Sequence, residues 1–325
     1  MNLKTKLLEL LVASRGAHIS GAALAKELTV SRNAVWKAVQ LLRGEGYEIT
    51  AVTNKGYRLE SSGDAISGAS VSAYLKNKGA FQIDVRKSVT STNTVLRELA
   101  ARGAPEGYVV VAQEQTAGKG RMGRSFHSPA GHGVYFSLLL RPGPKSVYAA
   151  LITSAAAVAA ARAIEQVFGV RAGIKWVNDL LIDGRKVCGI LTEATFDMES
   201  GLIESAVLGI GINVTRPSNG YPGDIGDVAA SLTGRHSGSG GERSRLIAAV
   251  LDSFLELYTD LPKRSFLDDY RSRSVLPGQE ILVLSQSGNR PALALEIDDK
   301  CRLVVRYENG EIAALNSGEV SVRMS

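Results

Sequence analysis

Cysteine is scarce: the 325 residues include two, Cys188 and Cys301. Two thiols so far apart supply neither metal-ligand spacing nor a disulfide framework. They read as small buried apolar residues in a chain that suits a reducing cytosol. Long apolar runs are also missing. The richest, residues 147–161, is mostly alanine; at about 15 residues it falls short of the roughly 20 that span a bilayer and reads as a buried helix. The N-terminus carries charges inside its apolar pattern, unlike a signal peptide. There is no internal repeat and no long low-complexity tract, and residues 236–241 form only a short Ser/Gly surface loop. These absences predict a cytoplasmic protein without a membrane partner. Hydrophobic content of 45% and charged content of 22% exclude a disordered chain and suffice for two or three domains.

What is present is concentrated in one loop. Gly118-Lys119-Gly120-Arg121-Met122-Gly123-Arg124 follows the apolar run 108–111 and precedes Phe126-His127-Ser128-Pro129. Its glycines allow close backbone approach, and its cations gather carboxylate or phosphate oxygens, so the ligand is anionic. The glycines also fit the dinucleotide fingerprint, but that motif needs a helix directly behind it and an acid about 20 residues on. Pro129, Gly131 and Gly133 break any helix, and no acid stands near residues 140–145. A Walker loop fails as well, because no Gly-Lys-Ser/Thr closes the stretch.

Net charge is +6, and residues 1–60 hold nine Lys or Arg against five Asp or Glu, which points to nucleic acid at this end. Leu3, Leu7, Leu8 and Leu11 recur at helical spacing. Ser20-Gly21 opens a second helix with Ala22, Leu24, Ala25 and Leu28, and Ser31 caps a third running to about Arg43. On that third helix Val35, Val39 and Leu42 form the buried face. Arg32, Asn33, Lys37 and Gln40 point away, side chains that reach phosphates and base edges in a major groove. Residues 47–53 and 57–60 around Asn54-Lys55-Gly56 read as a hairpin wing. A three-helix interaction domain with a solvated basic face is the blander alternative; spacing, caps, basic helix and wing together favour a winged helix-turn-helix.

After a linker at residues 61–64, helix over 92–102, strands over 108–113 and 134–141, and a long helix over 147–168 are expected. A hairpin of 174–182 with 186–195 turns at Asp183-Gly184, and another turns at residues 199–201 before a strand running to Val214. Helices follow near 243–258 and 265–272. Strand hairpins with helices set on them predict an α+β domain with a mixed sheet rather than a doubly wound one. Short alternating strands over 275–323 suggest a small β-barrel.

The ordered set Ser91-Thr92-Asn93, Gln115-Thr116-Ala117, the glycine-rich loop, Lys175-Trp176-Val177-Asn178-Asp179, Gly184-Arg185-Lys186 and Gly209-Ile210-Gly211-Ile212-Asn213-Val214 resembles the biotin protein ligases. The resemblance runs from about residue 65 to the C-terminus. Two positions depart from the family's usual pattern: Lys119 stands where arginine is usual, and Phe126 where tryptophan is usual, each keeping charge or aromatic face. The resemblance implies three domains: a winged helix-turn-helix DNA-binding domain (1–62), a biotin- and ATP-binding ligase catalytic domain (65–272) and an SH3-like β-barrel (275–325). It implies ATP and biotin as substrates, with Mg2+ shielding the departing pyrophosphate. The implied partners are a biotin carboxyl carrier protein, operator DNA of biotin genes, and a second copy of the chain in an adenylate-bound homodimer.

For the residues the resemblance implies the following. Ser91, Thr92, Asn93 and Gln115 are neutral donor-acceptor groups suited to a ureido ring, with Ser91 equally well placed as a helix N-cap. Lys119, Gly120, Arg121 and Lys186 complete the biotin site. The reaction joins two anions, biotin carboxylate and the ATP α-phosphate, so fixed positive charge rather than a base is required; Arg121 and Lys186 are the catalytic pair, supported by Lys119 and Arg124. Gly118, Gly123, Arg124, Phe126, Asn178, Asp179 and Asn213 belong to the loop or nucleotide region. Phe126 either covers the ring region or packs in the core, and Asn178, Asp179 and Asn213 serve either contact or structure. Asp179 or an adenylate phosphate oxygen takes the proton in the transfer step. Ser31, Arg32, Asn33, Lys37 and Gln40 face DNA, and no protein-bound metal site is expected. The alternatives are a DNA-binding biotin sensor without ligase activity and a lipoate ligase; the latter is disfavoured because that family's glycine-rich loop with a following His-Asp is absent.

Overall fold

A computed structural model describes residues 3–14, 16–44, 47–61, 66–142, 149–196, 203–223, 225–233, 241–284, 288–316 and 318–322. The chain opens with α1 (Leu3–Ala13), α2 (Gly21–Glu27) and α3 (Arg32–Gly44), then the antiparallel wing β1 (Glu48–Val52) and β2 (Gly56–Ser61). The predicted cap forms, Ser31 Oγ accepting from Ala34 N at 3.1 Å, and Ser20 Oγ also caps α2 by accepting from Ala23 N at 3.0 Å, bonds typically worth about 1 kcal/mol each. Leu7, Leu8, Leu11, Leu24, Val35, Val39 and Leu42 close one core with Tyr47 and Ile49.

Two elements went unread in the sequence between 66 and 90. Helix α4 (Gly68–Tyr74) is built from small Ser and Ala residues with little apolar periodicity, and it starts in a capping box between Ser67 and Ser70. Strand β3 (Gln82–Arg86) follows. Helix α4 joins the parts of the molecule: Ala69 enters the N-terminal core, Tyr47 Oη lies 2.5 Å from Ser67 Oγ, and Lys78 pairs with Glu9 at 3.3 Å.

The central sheet has seven strands in the order β3-β4-β5-β9-β8-β7-β6. The remaining six are β4 (Tyr108–Ala112), β5 (Gly133–Leu140), β6 (Gly173–Lys175), β7 (Asp179–Ile182), β8 (Arg185–Phe196) and β9 (Ile203–Asn213). β3 and β4 are parallel and every other pair is antiparallel, the mixed sheet expected. Alternation sorts β5 between two faces. Leu138 and Leu140 pack with α6 (Ala149–Phe168) and α7 (Glu242–Thr259), whereas Leu139 packs with α5 (Thr92–Ala101). On its outer side α4 is fixed to α7 by Ser70 Oγ–Ser244 Oγ at 2.8 Å and by Asp252, whose carboxylate accepts from Lys76 N and Asn77 N.

Three further expectations need correction. The strand read as 174–182 is two strands, β6 and β7, paired in a tight hairpin with Lys175 opposite Asp179. Trp176 at the bend is buried, its indole N–H donating to Cys301 O at 2.9 Å, while Asn178 lies in the turn and Asp179 starts β7. The apolar stretch of α6 is longer than read: Leu151–Phe168 is long and apolar enough to cross a membrane by composition, but 72% of it is buried among its neighbours as a core helix. Ser91 occupies the N-cap position of α5 without making a side-chain cap bond. The predicted turn at 199–201, the loop residues 236–240 and the helix start at 147–148 lie outside the described residues.

After α8 (Leu267–Arg273), the tail forms β10 (Glu280–Leu284), β11 (Arg290–Ile297), β12 (Leu303–Tyr307), β13 (Ile312–Leu315) and β14 (Glu319–Val322). They make a five-stranded antiparallel sheet in the order β13-β12-β11-β10-β14. Leu276, Ile281, Leu303 and Val305 join the same core as Ile174 and Trp176, so this small β unit shares its apolar interior with the central sheet.

Candidate functional site

The α5 face of the central sheet carries a floor of glycine. Gly189 on β8 lies opposite Gly211 on β9, and Gly209 lies between Ser137 and Leu191. The floor must be bare because side chains lie flat on it: a Cβ at Gly209 would collide with the Asn93 amide, and one at Gly211 with the Phe126 ring. A cleft of about 50 Å3 opens above it, lined at one end by Ser91, Thr92, Asn93 and Gln115 and at the other by Lys119, Arg121, Asn178 and Lys186. Pockets for drug-sized ligands run to roughly 300–1,000 Å3, so this cleft is narrow, with the Phe126 ring and Lys186 beside its glycine floor. A larger cavity of about 480 Å3 lies toward α7, lined by Leu138, Leu140, Phe254 and Tyr258; it holds none of the predicted residues and belongs to the other face of the sheet.

The neutral end is a continuous hydrogen-bond network. Gln115 Oε1 accepts from Thr92 N, the first amide of α5, at 2.8 Å, and Gln115 Nε2 donates to Ser128 Oγ at 2.9 Å. Ser137 Oγ lies 2.7 Å from Thr92 Oγ1 and 2.6 Å from Asn93 Oδ1. Asn93 Nδ2 donates to Glu193 Oε2 at 2.8 Å and to Leu191 O at 3.3 Å. Asn93 therefore spends its amide on protein partners and acts as the wedge that orients Thr92, although it lines the cleft. Ser91, Thr92 and Asn93 are nearly fully buried.

The cationic end is made by the loop and the β6–β7 turn. Backbone bonds Phe126 N→Gly118 O (2.8 Å) and Gly120 N→Arg124 O (2.7 Å) fold the loop back on itself, with a single 3-10 turn at Arg121–Gly123 and no helix behind the glycines. Arg121 reaches across the cleft, Nη1 donating to Asn178 Oδ1 and Nη2 to Gly318 O in the tail, each at 3.0 Å. Lys186 Nζ is 2.8 Å from Asp179 Oδ1 and 6.0 Å from the centre of the Phe126 ring, which meets Tyr135 edge-on. Cys188, two residues from Lys186, is fully buried, and burial pushes its thiol above the ordinary range, so it is an inert core residue.

Most of the predicted ligand residues come together here; Gly118, Gly123, Arg124, Asp179 and Asn213 do not line the cleft. Asp179 acts through Lys186. Asn213 is buried with Nδ2 donating to Ala230 O at 3.1 Å, so it anchors the segment that flanks Lys186 through Lys186 N→Val228 O and Ala230 N→Lys186 O. The sequence reading missed Ser128, Ser137, Glu193 and the tail carbonyl of Gly318. Ser137 had a visible signal, a polar residue inside the buried run Val134–Leu140; Glu193 and Gly318 had none, because their roles arise only from tertiary neighbours. Among the described residues no group of three or more His, Cys, Asp or Glu gathers to hold a metal ion.

At the other end of the molecule Ser31, Arg32, Asn33 and Lys37 are exposed on α3, while Gln40 is half-buried. Trp36 shares this exposed side.

A winged helix-turn-helix followed by a ligand-binding α+β domain with an anion-seeking loop defines the class of molecule, and comparison with known proteins gives the family. Residues 85–213 match the Biotin/lipoate A/B protein ligase family, residues 4–58 an HTH domain and residues 278–323 the Biotin protein ligase C terminal domain. The chain is 37% identical to the bifunctional ligase/repressor BirA of Bacillus subtilis over 95% of both chains. It is 30% identical to the biotin–[acetyl-CoA-carboxylase] ligase of Mycobacterium tuberculosis over 74% of this chain and 88% of that one. The solved biotin protein ligase of Aquifex aeolicus in complex with biotin and ATP superposes with a TM-score of 0.61 at 27% identity, covering 75% of this chain and 99% of that one. The chain belongs to the biotin protein ligase family, in its bifunctional ligase/repressor branch.

Proposed function

We propose that this chain is an ATP-dependent biotin–[biotin carboxyl carrier protein] ligase that also represses biotin genes. The observation that carries the ligase half is the two-ended cleft, which is lined by both a neutral donor-acceptor network and three cations, Lys119, Arg121 and Lys186. The ureido ring of biotin, which both donates and accepts, seats against Thr92, Ser91 and Gln115; its carboxylate extends toward Lys119, Arg121 and Lys186. In the first step a carboxylate oxygen attacks the α-phosphorus of ATP, the acyl–phosphate bond forms and pyrophosphate leaves. Lys186 and Arg121 hold the two anions together and stabilise the charge that develops. In the second step the amine of a carrier lysine attacks the acyl carbon, the acyl–phosphate bond breaks, and AMP departs with a phosphate oxygen taking the amine's proton, Asp179 being already paired with Lys186. Mg2+ carried on the nucleotide's phosphates is part of the proposal and would offset charge on the departing pyrophosphate.

The regulatory half rests on the winged helix-turn-helix at residues 4–58. One such unit reads one half-site, so operator binding by a homodimer that the adenylate promotes is part of the proposal. So are a cytoplasmic location and the division into modules 1–62, 65–272 and 275–325. The decisive experiment supplies ATP, labelled biotin and an apo carrier domain: label must reach one carrier lysine with release of pyrophosphate. Absence of both, with biotin-dependent operator binding retained, would instead identify a DNA-binding biotin sensor. Sedimentation with biotinyl-adenylate, without it, and with adenylate plus apo carrier tests the dimer; equal dimer content in all three overturns that part.

A further inference from the structure

The chain has two tryptophans with opposite fates. Trp176 is 4% exposed with its N–H satisfied by Cys301 O, whereas Trp36 on α3 is 49% exposed. Leu41 on the same helix is 61% exposed, so two large apolar side chains stand among the cations on the solvent side of α3 and mark a contact surface rather than core packing. The partner is defined by what surrounds it. Arg32 and Asn33 lie one turn before Trp36, Lys37 and Gln40 beside and after it, and residues 31–44 contain no Asp or Glu. Val35, Ala38, Val39 and Leu42 bury the opposite face, so the side presenting Trp36 is the side presenting the cations. Lys55 at the exposed wing tip adds a further cation. Such a surface fits a polyanion. A duplex offers the indole rim one apolar feature in its major groove, the C5 methyl of thymine.

We infer that Trp36 is a specificity-determining residue that packs against thymine methyl groups in the operator half-site, while Arg32 and Lys37 engage phosphates. The inference rests on the operator-binding reading. It assigns sequence preference to an apolar contact instead of to the polar residues of the same helix alone.

The test uses the full-length protein with biotin and ATP, and a duplex that the wild type selects from a random-sequence pool. Each thymine of that duplex is replaced in turn by deoxyuridine, which removes the methyl and nothing else. Wild type should lose about fourfold in affinity at one or two positions, the value of one buried carbon. Trp36→Ala should bind the thymine duplex more weakly and be indifferent to the same replacements, and Trp36→Phe should restore part of the sensitivity. Because Trp36 is outside the core, melting temperatures should stay equal. Undiminished methyl sensitivity in Trp36→Ala overturns the inference and leaves operator binding intact. Loss of dimer in Trp36→Ala without DNA also overturns it, since the indole would then face a second copy. A wild type that selects no sequence removes the operator reading and this inference together.

Discussion

The cleft and the α3 face solve recognition in opposite ways. In the cleft the polar side chains are mutually bound before any ligand is considered: Thr92, Asn93, Gln115, Ser128, Ser137 and Glu193 form one network across four elements. On α3, Arg32, Asn33 and Lys37 stand exposed on a single helix. A small neutral ring is recognised by geometry, which demands preorganisation and couples binding to folding. A phosphate backbone is recognised by charge, which tolerates mobile side chains and leaves stability untouched.

The largest effect expected from breaking this contrast is at the cationic end of the cleft. Lys186→Ala should slow adenylate formation by two to three decades, the roughly 3–4 kcal/mol typical of removing one preorganised group from a developing charge. Near-normal pyrophosphate release would remove Lys186 from its role. Arg121→Gly deletes both bonds that hold the loop to Asn178 and Gly318. Retention of biotinyl-adenylate should fall by about 10- to 100-fold, consistent with about 1.5–3 kcal/mol for hydrogen bonds to a charged group. The check is label appearing on lysines other than the carrier's; strictly confined labelling would count against it.

Two smaller predictions compare the regions directly. Ser137→Ala should destabilise the fold by about 1–3 kcal/mol by taking the donor from buried Asn93 Oδ1, visible in urea unfolding together with weaker biotin binding. Arg32→Ala with Lys37→Ala should leave unfolding unchanged, yet lower the slope of log affinity against log salt by about two. Equal unfolding curves for all three proteins would erase the proposed difference between the regions. The smallest effect concerns acid. Burial raises the carboxyl pKa of Asp269, but hydrogen bonds from Arg162 and Arg273 outweigh it and hold the group below the ordinary carboxylate value. That stabilisation is complete above the unfolded value and lost as pH falls through the folded one. Asp269→Asn should therefore lower the melting temperature at neutral pH and flatten the acid limb of the profile, the two proteins converging at low pH.

The α3 face was legible in the sequence because everything it needs lies within one helix and its caps: periodicity fixed the buried side, and Ser31 fixed the start. Trp36 was not legible as part of that face because a large aromatic in an amphipathic helix ordinarily belongs to the buried side. The glycine-rich loop and Lys186 were legible through their ordered resemblance to a family. The network behind them was not, since Ser137, Glu193 and Gly318 are separated in sequence from the groups they hold. Helix α4 went unread for a different reason: small Ser and Ala residues bury without leaving an apolar period, and their role appears only with α1 and α7 on either side. The β6–β7 turn was mistaken for continuous strand because Trp176 and Val177 extend an apolar pattern while the chain in fact reverses.

The bond from Arg121 to the tail ends on a backbone carbonyl, that of Gly318, and Trp176 likewise donates to the carbonyl of Cys301. A carbonyl is supplied by any residue, yet these two points are still constrained by their backbone: Gly318 has φ +140°, which favours glycine, and Cys301 has φ +57° inside the core. Spacing is constrained as well, since a residue inserted or deleted between Cys301 and Gly318 can move an acceptor away from its donor. Tail variants with altered length should thus surface in genetic screens as ligases that leak their intermediate.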